Sequence, residues 1–113
     1  MKRTPAKERQ ILVCIKRPGE GPMVEPLFDN TLEAFQRAVG GYIETVTLCT
    51  DLVFIVNEEG RLRGLPYNLD ICGCPFYGTV IAAGVKGDEF ASIKGSFVSR
   101  VLRLLTAEET TQN

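Results

Sequence analysis

Histidine is absent from the 113-residue chain, and with it go the commonest general base and the commonest metal ligand. The sequence also lacks a long apolar stretch. An uninterrupted run such as Leu52–Val56 is far too short to cross a bilayer. The basic start Met1–Arg9 is not followed by a leucine-rich core and a small-residue cleavage site, so neither a membrane span nor a secretion signal is expected, and a cytoplasmic setting is. There is little net charge either: 13 Lys plus Arg against 14 Asp plus Glu leave −1. With 44% hydrophobic and 24% charged residues, the chain matches ordinary globular domains and departs from the profile of disorder or fibrous repeats. At this length one domain can form a core without disulfides or metal.

Cysteine is sparse. Cys14, Cys49, Cys72 and Cys74 are the only candidate metal set, and their spacing, one C-x-C and two residues far apart, is unlike the C-x2-C pairs of structural zinc sites. Cys14 lies within Ile11–Ile15 and reads as a small core hydrophobe. Cys72 and Cys74 flank Gly73, with a redox role and an incidental one both open, since no helix N-terminus is at hand to lower a thiol pKa. No metal and no cofactor is expected.

The charges that exist are segregated. Residues 1–17 carry six bases against Glu8, whereas 18–60 carry eight acids and only Arg37. The chain is thus expected to comprise a basic arm (1–9), one domain (10–105) and a polar tail (106–113). The arm either meets nucleic-acid phosphates or is merely solvated, and it lacks the interleaved aromatics that nucleic-acid binding favours.

Hydrophobic periodicity sets out the elements. Ile11–Lys16 is a β-branched strand, the cluster Pro18–Pro22 turns the chain, and Met23–Phe28 returns antiparallel. Asn30 with Glu33 resembles a capping box opening a helix over Thr31–Val39, which Gly40 ends. Tyr42–Cys49 and Leu52–Val56 form a hairpin. A second hairpin, Leu52–Leu65, turns at Asn57–Gly60, with Gly60 expected at positive φ and Arg61–Leu62–Arg63 as an exposed strand. Gly64–Asn68 stops that strand, and Leu69–Phe76 is expected to be a loop. Tyr77–Val85 is apolar on both faces, as in a central strand; Lys86–Glu89 turns it into Phe90–Ile93. Ser96 is positioned to cap a final helix with the stripe Phe97, Val98, Val101, Leu102 and Leu105. The fold class is α+β, an antiparallel sheet of five to seven strands built from hairpins, with two short helices.

The segments Thr31–Gln36 leading into Val39–Glu44, then Asn57–Gly60 and Gly64–Asn68, together resemble a family of small domains of unknown function common in phages and mobile elements of bacteria. The likeness runs from about Ile11 to about Ile93, while the Cys72–Cys74 segment and the final helix depart from the pattern. It implies a fold and a genomic setting without established catalytic residues.

No nucleophile, base and oxyanion site assembles from this sequence: Glu58 and Glu59 are adjacent, no Ser or Cys lies in a nucleophile elbow, and Lys86 and Lys94 fall at turns. A non-enzyme is expected. Gly64–Asn68 with the two preceding arginines could line a pocket for an anionic, nucleotide-like ligand, giving Asn57, Arg61, Arg63, Tyr67 and Asn68 as candidate binding residues. Asn68 could instead hydrogen-bond the loop backbone. Two function classes remain: a small binding protein that captures a host protein or a small anion, and a nucleic-acid accessory protein using the basic arm. A homodimer through Phe97, Val101 and Leu105 is a further expectation.

Overall fold

A computed structural model describes residues 8–106; the body of the basic arm (1–7) and the polar tail beyond Thr106 lie outside the described residues. Strands β1 (Gln10–Lys16) and β2 (Met23–Asp29) precede helix α1 (Leu32–Val39). Then come β3 (Ile43–Cys49), β4 (Leu52–Asn57), β5 (Tyr67–Ile71), β6 (Cys74–Tyr77), β7 (Val80–Lys86), β8 (Glu89–Ala91) and helix α2 (Gly95–Leu105). The α+β expectation holds. A six-stranded antiparallel sheet runs β2-β1-β7-β4-β3, with β8 on β7, and β5-β6 form a separate two-stranded ribbon.

The sheet is covered on both faces, which is why its middle strands lack alternation. Every residue of β4 is buried, as are the first five of β7. On one face Phe35 and Val39 of α1 pack on Ile11, Val13, Ile15, Val53, Ile55 and Ile81; burying one such side chain stabilises by roughly 1.5–3 kcal/mol. On the other, Val101 and Leu105 of α2 and Leu69 and Ile71 of β5 pack on Cys14, Phe54, Val56, Val80 and Ala82. Val101 and Leu105 are therefore buried within their own chain. Of the three residues expected at a dimer contact, only Phe97 keeps a partly exposed side chain.

Five local expectations are corrected. Thr31, not Asn30, caps α1, its Oγ1 accepting from the Ala34 N–H at 3.1 Å. Asn30 is buried and donates from Nδ2 to the carbonyls of Glu8 and Phe90. The N-cap of α2 is Lys94, which makes no side-chain cap hydrogen bond, so Ser96 is simply an exposed helix residue. Arg61–Arg63 is not a strand: residues 58–64 coil back on themselves, with Arg63 N–H donating to Glu59 O (2.8 Å) and Leu65 N–H to Gly60 O (3.0 Å). The alternation of Arg61, Leu62 and Arg63 misleads because Leu62 is 87% exposed and anchors nothing.

The expected loop Leu69–Phe76 is the β5-β6 hairpin. Its turn holds Cys72 and Gly73 at φ 53° and 81°, the two left-handed positions of a type I′ turn, where a cysteine is unusual and masks the signal. The central strand starts at Val80 rather than Tyr77, because Gly78 at φ 84° breaks the chain between β6 and β7.

Candidate recognition cleft

The 58–64 coil and β6 lean together over the end of β3, enclosing a cleft of ≈ 280 Å³. Val46, Pro75 and Phe76 supply apolar walls, and Glu44, Glu58 and Arg61 supply charge. The close approach has a cause in the sequence. Gly60 is glycine because a Cβ there would meet the Tyr77 carbonyl at 2.7 Å; it is not among the residues at positive φ, so proximity rather than turn geometry sets its identity, contrary to the expectation for this turn. The Arg61 guanidinium stands 5.9 Å from the Tyr77 ring centroid, within cation–π range. Tyr67 meets Tyr77 edge-on, with ring centroids 5.8 Å apart.

The five residues expected to bind a ligand separate into two groups. Arg61 lines the cleft, and Tyr67 is half-exposed beside it, its hydroxyl donating to Asp70 Oδ1 at 2.9 Å. Asn57 touches the cleft wall, but its side chain is committed elsewhere: Nδ2 donates to Val39 O at 3.1 Å and Oδ1 accepts from Glu59 N–H at 2.7 Å. It clamps the end of α1 to the coil. Arg63 points to Glu59, 4.0 Å away one helical turn earlier, in an exposed pair worth little.

Asn68 is buried away from the cleft. Its Oδ1 accepts from Lys16 Nζ, and its Nδ2 donates to the carbonyls of Lys16 and Gly78, all three at 2.8 Å. Of the two readings of Asn68, the backbone-anchoring one describes the geometry. Its contacts pin the start of the β5-β6 ribbon to β1 and to the turn before β7. Lys16, itself buried, donates also to Arg17 O at 3.0 Å. Glu44, Glu58, Phe76 and Tyr77 line the cleft and were missed by sequence reasoning. Their only sequence signal was the aromatic density of β6, which the glycine and cysteines around it hid.

The thiols follow the same division. Cys14 is buried, and burial raises its pKa above the ordinary thiol value. Cys49, Cys72 and Cys74 are free and exposed. Among the described residues no group of three or more Cys, Asp or Glu side chains is placed to hold a metal ion, and no helix is long and apolar enough to cross a membrane.

The architecture defines a two-faced antiparallel sheet carrying a ribbon and a coil that shape one groove. The chain belongs to the family described as a domain of unknown function, DUF3846, whose match spans residues 11–106 and so takes in α2 as well as the ribbon. No curated protein and no solved structure matches it.

Proposed function

We propose that the protein is a non-catalytic recognition module that captures a segment of a partner protein in the cleft between the 58–64 coil and β6. The observation that carries this reading is the composition of the cleft. Apolar walls from Val46, Pro75 and Phe76 meet a rim holding one cation, Arg61, and two carboxylates, Glu44 and Glu58. Such a rim complements the mixed polarity of a polypeptide carrying a basic residue beside an apolar one, and Tyr and Arg are the residues that most often anchor protein interfaces. A small anionic ligand is served less well, because Arg63 pairs with Glu59 and the cleft's own carboxylates oppose a phosphate. The setting in a phage or mobile element belongs to the same proposal and is supported by the sequence motifs.

Backbone NMR with a panel of short peptides and with nucleotides tests the reading. Peptides pairing Lys or Arg with an aliphatic or aromatic residue should shift the amides of Glu44, Glu58 and Tyr77, and Glu58→Gln with Tyr77→Ala should remove the effect. Binding of a polyphosphate nucleotide that disappears in Arg61→Ala, with no peptide response, overturns it.

A further inference from the structure

The two edges of the six-stranded sheet are built differently. At one edge β2 carries Pro26 at its centre beside Glu25, a residue without an N–H and a charge, both of which discourage another strand from pairing there. At the other edge β3 reads Ile43-Glu44-Thr45-Val46-Thr47-Leu48-Cys49, rich in β-branched residues and free of proline and lysine. Among the described residues nothing pairs with its outer side.

The register fixes which backbone groups face outward. Tyr42 O accepts from Glu58 N–H at 2.9 Å, and Glu44 and Val46 stand opposite Val56 and Phe54. Because bonded pairs alternate in an antiparallel ladder, Glu44 and Val46 bond to β4, and the N–H and C=O groups of Ile43, Thr45 and Thr47 point away from the sheet.

We propose that this edge is completed by the β3 of a second copy of the chain, antiparallel about a two-fold axis at Val46. Thr45-Val46-Thr47 reads the same in both directions, so such pairing sets Val46 against its twin and each Thr45 against Thr47 of the other copy, with four backbone hydrogen bonds between the threonines. The strand's only charge, Glu44, falls opposite Leu48 of the second copy and away from the second Glu44, which avoids like-charge repulsion. The irregularity between Thr47 and Cys49 leaves this central stretch regular. An axis of this kind stands perpendicular to the sheet, so both recognition clefts open on one side of a continuous sheet. The proposal stands independently of what the clefts bind.

Sedimentation equilibrium of the full chain should show a reversible dimer. Thr45→Pro removes an N–H that faces away from β4, copying the device of β2, and should weaken the dimer at least ~10-fold while leaving the circular dichroism spectrum unchanged. If that variant misfolds, Thr45→Lys combined with Thr47→Lys keeps the backbone donors, sets lysine against lysine, and should dissociate the dimer in the same way. In a background of Cys49→Ser, Cys72→Ser and Cys74→Ser, Val46→Cys should oxidise to a covalent dimer, since directly opposed residues of a non-bonded pair lie within disulfide reach. A monomer at every concentration, a dimer indifferent to both edge variants, or cross-linking through Thr45→Cys in place of Val46→Cys overturns the proposal.

Discussion

Replacing Asn68 with alanine should be among the most damaging single changes available in this protein, although no reactive group is touched. The amide side chain makes three hydrogen bonds of 2.8 Å at a buried site, one of them to the ammonium of Lys16. A neutral hydrogen bond contributes about 1 kcal/mol net and one to a charged group about 1.5–3 kcal/mol, while buried carbonyls left without donors add their own desolvation cost. The expected loss is thus about 4 kcal/mol. A domain of this size has about 5–15 kcal/mol in all, so the variant should melt on the order of 15–25 °C lower. Lys16 keeps the Arg17 carbonyl as a partner, which limits the penalty on the ammonium. Thermal unfolding followed by circular dichroism measures the effect. Since Asn68 does not line the cleft, peptide affinity measured well below the variant's melting point should stay within about twofold of the parent. An unchanged melting temperature combined with lost binding would refute the assignment of Asn68 as an anchor and return it to the ligand site.

Further expectations follow from particular contacts. Thr31→Ala should cost about 1 kcal/mol by removing the cap on α1, whereas Ser96→Ala should stay within about 0.5 kcal/mol because Ser96 caps nothing; chemical denaturation of the pair separates them. Gly60→Ala should destabilise by about 1–3 kcal/mol and perturb the Tyr77 amide, since the added methyl must push the coil off β6. A thiol reagent should modify Cys49, Cys72 and Cys74 in the native protein and Cys14 only after unfolding. The raised pKa of Cys14 also sets a sign. Above the ordinary thiol pKa the unfolded chain loses this proton while the folded chain keeps it, so stability should fall as pH rises through that window and be unaffected by Cys14 below it. Cys14→Ala should flatten the alkaline slope of a melting curve series.

Much of the fold was legible because it is written in local chemistry. β1, β2 and the β3-β4 hairpin follow from β-branched runs separated by Pro and Gly, and α1 from an apolar stripe ended by Gly40, which sits at φ 82°. The errors cluster where a long-range contact overrides the local pattern. Asn30 has the chemistry of a cap, but the carbonyls of Glu8 and Phe90 claim it, the latter 60 residues away in sequence. Arg61–Arg63 alternates like a strand yet has no neighbour to pair with, and β5-β6 was hidden because a cysteine occupies its left-handed turn.

Local chemistry is enough to read an antiparallel sheet with two amphipathic helices, because side-chain alternation, helical periodicity and glycine punctuation act over a few residues. Burial and long-range hydrogen bonds, by contrast, settle which polar residues are structural anchors and which stay exposed. Asn57, Asn68 and Lys16 look as surface-like in the sequence as Arg61 and Tyr67, and burial among carbonyls from distant strands is what sets them apart. The cleft, too, exists only where Gly60 lets one backbone lie against another, a distance that no local pattern encodes.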